Sequence, residues 1–190
     1  MTCPAAWNGV SFRGRNDDGD QATATWKADQ DVDWTQAVGV NLRVRFLVQE
    51  TAGCAGANKV WQLQYNLASA GWVSVTGTSN VVRASASPNV ADAANLSQQM
   101  TGGTGTFQGN TGFDDVNGAA GGSQMDMQAS GNAEAEFCIQ ILAVDVTDGQ
   151  TVQLRITDNG NAFAAYATTP TITISDPVTS IPRNYVVTVF

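Results

Sequence analysis

Hydrophobic and polar residues alternate along much of this chain with a period of two. The clearest stretch is Asn41 to Glu50, where Leu42, Val44, Phe46 and Val48 fall on one face and Arg43, Arg45 and Gln49 on the other. That period belongs to a half-buried antiparallel strand. Val60 to Asn66 repeats it, with Trp61, Leu63 and Tyr65 inward and Gln62 and Gln64 outward. Ala135 to Val146 sets Phe137, Ile139 and Ile141 against Cys138, Gln140 and Leu142, and Val152, Leu154 and Ile156 alternate with Gln153 and Arg155. Shorter candidates are Val10–Arg15, Ala22–Lys27, Trp72–Val75, Val81–Val82, Phe163–Thr168 and Thr171–Ser175. The first two read as a hairpin across Asn16–Asp20, and Asp148-Gly149 and Asp158-Asn159-Gly160 read as further hairpin turns. About nine or ten short strands separated by turn signals predict an all-β antiparallel β-sandwich, jelly-roll or Ig-like.

Three stretches break the pattern. Ala28 to Gly39 reads as a crossover loop anchored by Trp34. Residues 84–132 hold nine glycines and few apolar positions. This Gly-rich insertion reads either as a binding element laid over a surface or as a mobile loop, with a short helical turn expected at Ala91–Gln99. At Asp176-Pro177 the alternation stops. The chain thus divides into an N-terminal segment (1–9), a sandwich domain (10–175) and a C-terminal extended arm (176–190). The arm ends in Tyr185–Phe190 (YVVTVF), either a last strand of its own sheet or a strand donated to a neighbouring subunit.

Composition agrees with an all-β reading. Valine and threonine number 20 each, against 7 leucines, 2 lysines and 3 glutamates, so helix-face residues are scarce. Apolar runs such as Ile141–Val144 are far too short to span a bilayer. No secretory signal is visible at Met1-Thr2-Cys3-Pro4. A net charge of −8 opposes a nucleic-acid partner. The three cysteines, Cys3, Cys54 and Cys138, are odd in number and read as reduced thiols, with a Cys54–Cys138 bridge as the alternative.

The chemistry on offer is thin. With no histidine there is no Ser-His-Asp triad, no Cys-His pair and no histidine-ligated metal. Asn16, Asp18 and Asp20 have the one-three-five spacing of a calcium loop but lack its glycine at six and glutamate at twelve, so turn chemistry is expected. Glu134 and Glu136 share one strand face and read as solvated charges, as do Asp114 and Asp115 in the insertion. Neither Lys27 nor Lys59 has the setting of a catalytic base. The chain is therefore read as non-enzymatic and without a cofactor. Arg13, Arg15, Arg43, Arg45 and Arg155 alternate with small or apolar residues and are expected to point outward, as surface charge or as a docking face for an acidic partner. Trp7, Trp34 and Trp72 are the aromatics that could stand exposed for sugar stacking, since Trp26 and Trp61 sit in core-like strands.

The runs FRGRNDDG (Phe12–Gly19), ATATW (Ala22–Trp26), LRVRFLVQ (Leu42–Gln49), WQLQY (Trp61–Tyr65), EFCIQIL (Glu136–Leu142) and DGQTVQLRITDNG (Asp148–Gly160) resemble a β-sandwich domain of tailed-bacteriophage structural proteins. Such domains occur in capsid-associated proteins and in larger tail-fibre proteins. The resemblance spans most of residues 10–175 and implies no catalytic residues. It implies a virion protein: a capsid decoration (cement) protein, assembled in the host cytoplasm, that binds the major capsid protein on the head surface as a homotrimer. The short chain, beginning at its own methionine, favours the head over a fibre. Contacts are then expected from Arg13, Arg43, Arg45 and Arg155 and from Tyr185, Val187 and Phe190 of the arm. The alternative is a receptor- or carbohydrate-binding module of a tail fibre.

Overall fold

A computed structural model describes residues 3–109, 111–121 and 126–176. The arm beyond Asp176, with Tyr185, Val187 and Phe190, lies outside the described residues. The strands in chain order are β1 (Trp7–Asn16), β2 (Trp34–Ala37), β3 (Leu42–Glu50), β4 (Val60–Leu67), β5 (Val73–Ser74), β6 (Val82–Ala84) and β7 (Phe107–Gln108). They continue with β8 (Phe113–Asp114), β9 (Ala119–Gly121), β10 (Asn132–Ile141), β11 (Thr151–Asp158), β12 (Asn161–Ala162), β13 (Ala165–Tyr166) and β14 (Thr171–Ser175). One 3-10 turn, Ala143–Asp145, is the only helical element among the described residues, so no helix there could cross a membrane.

These strands build two sheets, and the fold is a β-sandwich. The first sheet runs β13-β1-β3-β10-β6, with β7 and β8 also pairing with β10. The second runs β2-β14-β11-β4-β5, with β12 on β11 and β9 on β4. The long strands pair antiparallel, while β1–β13, β2–β14, β7–β10 and β8–β10 are parallel. The expected inward residues meet between the sheets. Phe12, Val44, Phe46, Phe137, Ile139 and Ile141 of the first sheet pack against Trp61, Leu63, Leu154, Ile156 and Ile172 of the second. Trp61 lies edge-on to both Trp7 and Phe163, at centroid distances of 5.2 and 5.6 Å.

Several expectations needed correction. Ala22–Lys27 forms no strand; its one bridge is Arg15 to Trp26, because Asp18 and Asp20 divert the backbone through side-chain hydrogen bonds. The crossover loop contains β2, which pairs parallel with β14. Asp148-Gly149 turns the chain but joins no hairpin, since β10 and β11 belong to different sheets. Asp158-Asn159-Gly160 does close one: Asn159 and Gly160 both adopt positive φ (48° and 86°), as a tight hairpin turn with right-handed twist requires, and β12 returns along β11. No helical turn of any length forms at Ala91–Gln99; a single tight turn stands at residues 92–93.

The cysteines also differ from expectation. Cys3 and Cys54 are bridged, with Cα atoms 5.7 Å apart, and Cys138 is free and buried. The bridge ties the N-terminal segment to the loop after β3, a proximity that the 51-residue separation conceals. Burial, with Asp17 beside it, pushes the Cys138 thiol up, so it stays protonated and inert.

Candidate functional site: a buried charge cluster and an exposed arginine–tryptophan pair

The outer face of the first sheet is not open to solvent. Residues 17–31 and the Gly-rich segment lie across it, and its polar residues are sealed beneath them. The glycines allow this close cover. A Cβ at Gly112 would stand 2.5 Å from the Glu134 carbonyl oxygen, and one at Gly105 would run into the Ser130 carbonyl. Val90, Leu96, Phe113 and Cys138 form a second small apolar cluster under this cover.

Arg15, Arg43, Arg45, Glu134 and Glu136 have side chains fully excluded from solvent, so none of them is a surface charge. Register explains the pairing: β3 and β10 place Arg45 directly opposite Glu136, and β1 and β3 place Arg15 opposite Arg43. Glu136 Oε2 accepts from Arg45 Nε and from Arg15 Nη1 (3.4 Å), and its Oε1 lies 3.3 Å from Arg43 Nε. Glu134 Oε2 accepts from Arg45 Nη1 at 2.6 Å, and its Oε1 accepts the backbone N–H groups of Gln99 and Met100 at 2.8 and 2.7 Å. Asp17 completes the balance 3.5 Å from Arg43 Nε, giving three arginines against three carboxylates.

Other guanidinium N–H groups reach backbone carbonyls of the covering loops, while Arg15 Nη2 and Arg43 Nη1 are buried without a hydrogen-bond partner among the described residues. Arg15 donates to Ala24 and Gln21, Arg43 to Gly19 and Asp20, and Arg45 to Ser97 and Gln21. Trp26, half-buried and not in the core, closes the cluster from above, 4.1 Å from Arg15 and 4.5 Å from Arg13. Burial pushes the Arg15 guanidinium down, and Glu136 opposes that. Chemically this is a cross-link between strands and loops, its arginine and glutamate side chains closed to solvent.

The other candidates have structural partners. Asp18 accepts from Thr25, and Asp20 from Ala22 and Thr23, which holds both carboxyls below their ordinary value and closes the loop. Among the described residues no cluster fits a metal ion. Glu50, unremarked in the sequence, is a buried carboxylate that accepts five backbone N–H groups, those of Ala6, Ala52, Gly53, Cys54 and Ser130. Burial pushes its pKa up, but the amides outweigh that and hold it low. Lys27 donates to Asn16 and Lys59 pairs with Asp158.

Asp114 and Asp115 are buried, contrary to the solvated reading. Desolvation pushes the Asp114 carboxyl from 3.8 up to about 6, against the Asn117 and Gly118 amides that favour its charge. A raised folded-state value means that the group's stabilising contribution is complete below about pH 4 and lost as pH rises through about 6. Asp114→Asn, which keeps the accepting oxygen, should raise stability above pH 6 by on the order of 1–2 kcal/mol. Urea titrations at pH 7.5 and pH 4 test this; an equal effect at both pH values refutes it.

Two of the expected contact arginines remain at the surface. Arg13 is 21% exposed in its side chain and pairs with Asp29 at 3.3 Å. Arg155 lies on the outer face of the second sheet, where its guanidinium stacks 4.2 Å from the Trp72 ring centroid. Trp7 and Trp34 are core residues at 5% and 8% exposure, which removes both as stacking platforms, while Trp72 is half-buried.

The buried cluster could have been anticipated from one signal: two arginines and two glutamates at alternate positions of strands whose opposite faces are wholly apolar. Asp17 and the backbone carbonyls of Gln21 and Ser97 carry no such signal, because they arrive from loops. No protein family, curated protein or solved structure matches this chain. The fold and the cluster together describe a cross-braced β-sandwich.

Proposed function

We propose that this protein is a non-enzymatic structural component of a tailed-phage particle: a capsid decoration (cement) protein that binds the major capsid protein on the outside of the head and stabilises it. The observation that carries this reading is where the phage-like motifs meet. Phe12–Gly19, Leu42–Gln49 and Glu136–Leu142 supply Arg15, Asp17, Arg43, Arg45 and Glu136, which are five of the six charges in the buried cluster. The motifs therefore work as braces, and the ionic side chains are spent on rigidity. A cement protein acts by adding a stiff body across subunit boundaries, which such bracing suits.

On this reading the protein assembles as a homotrimer in the host cytoplasm and resides on the capsid surface. Arg43 and Arg45 are excluded as contacts by their burial. Docking then falls to Arg13, Arg155 and the arm with Tyr185, Val187 and Phe190. Truncation after Asp176 is expected to leave the thermal midpoint unchanged and to abolish occupancy on heads lacking the protein, read by cryo-electron microscopy and gel densitometry. Full occupancy by the truncated protein removes the arm from the reading, and density on the tail alone overturns the head assignment.

A receptor- or carbohydrate-binding module is the second reading. The observation that favours it is the half-buried Trp72, which keeps some surface in water, with its stacked arginine.

A further inference from the structure

The outer face of the second sheet carries an arrangement that the braced interior does not use. Arg155 of β11 donates from Nε and Nη2 to Gln64 Oε1 of β4, at 2.9 and 2.7 Å. Gln64 is itself 8% exposed and is fixed in turn by donating to Ser74 Oγ at 3.4 Å and to the Gly160 carbonyl at 3.2 Å. The indole of Trp72 lies against the guanidinium. The guanidinium is thus held by an amide on one side and a π-face on the other, and its Nη1 makes no hydrogen bond among the described residues. No carboxylate lies within ion-pair distance of Arg155 among those residues, in a chain whose acidic groups outnumber its basic ones by 17 to 9.

From this we infer that Trp72 and Arg155 form a binding site for an acidic saccharide, a pyranose bearing a carboxylate. The chemistry follows from the parts. The indole, half-buried with the guanidinium over its ring, offers its remaining accessible surface to the apolar C–H face of a pyranose ring. A planar guanidinium, already oriented by Gln64, offers N–H donors to a carboxylate in a fixed geometry. Preorganisation by a buried amide lowers the ordering cost of binding. Gln153, half-buried two positions before Arg155 on the same strand face, adds an amide within the same polar surface. Inorganic phosphate would use only the arginine, and leaves the indole unexplained. The inference gives the second functional reading a definite site and ligand class, and it can fail while head attachment holds.

The test uses the full chain, titrated calorimetrically with oligogalacturonate, oligosialic acid and neutral dextran oligomers in about 0.15 M salt, where net-charge repulsion is screened beyond about 8 Å. Binding of at least one acidic oligomer and not of dextran is expected. Arg155→Gln should weaken it by at least about tenfold, Arg155→Lys by less, and Trp72→Ala by at least about tenfold, each with the thermal midpoint retained. If Trp72→Ala unfolds, the two arginine variants, which leave the ring in place, decide. Absence of binding to both acidic oligomers at millimolar concentration, equal binding of dextran, or undiminished affinity in the arginine variants overturns the site. Head occupancy of Arg155→Gln is measured separately, so loss of saccharide binding with normal occupancy separates this site from the capsid reading.

Discussion

Glu136→Gln is expected to lower the unfolding free energy of this domain by about 3–5 kcal/mol, the cost of removing one partner from a buried ion cluster. Glutamine has nearly the same shape, so the loss is not one of packing. It turns three arginines balanced by three carboxylates into three facing two, with side chains of the partners at 0–3% exposure. It also points an amide N–H₂ at guanidinium donors that the carboxylate had satisfied. Small domains hold only about 5–15 kcal/mol in total, so the variant should unfold at much lower denaturant concentration. Arg45→Met combined with Glu136→Met tests the mechanism. If the single variants suffer mainly from an orphaned charge, the double variant loses less than the sum of the two. A Glu136→Gln loss below about 1 kcal/mol would mean that water reaches the cluster and that bracing is not its role.

Reduction of the Cys3–Cys54 bridge carries the second large effect. Closing a loop of 51 residues restricts the unfolded chain by about 4 kcal/mol on the chain-entropy estimate, and native disulfides contribute about 2–4 kcal/mol. Millimolar dithiothreitol, or Cys54→Ser, should therefore lower the thermal midpoint by roughly 5–15 °C. Cys3 is exposed, which gives a reductant access. Thiol labelling of the denatured, unreduced protein should find one free thiol, that of Cys138. Three labelled thiols, with a midpoint insensitive to reductant, would refute the bridge. Cytosolic thiols resist oxidation. A protein assembled in the cytoplasm would then gain this stability only after release, so reduced and oxidised forms should differ in stability while sharing one fold.

Much of the fold was legible because strand period is a local property. Leu42 through Val48, Trp61 through Tyr65 and Val152 through Ile156 each declare a buried face by alternation alone, and they occupy the interior as read. The turn at Asn159-Gly160 was equally local, since positive φ selects residue types directly. The reading failed where the same alternation has two physical causes. Arg43 and Arg45 alternate with valine and phenylalanine whether their face meets water or a covering loop. A guanidinium beneath a loop is stable only if carboxylates and carbonyls from elsewhere meet it. Those groups, from Asp17, Gln21, Ser97 and Glu134, lie 24 to 89 residues away in sequence, in contacts that no local rule reports.

The sequence by itself determined the all-β class and the inward residues of the long strands, because these follow from residue type and short-range period. Tertiary structure alone decided that the central strands of the first sheet are buried on both faces, that Cys3 meets Cys54, and that Trp34 is buried while Trp72 keeps some surface in water. Each depends on which distant segments come together, and there burial turns an ordinary surface charge into a structural brace.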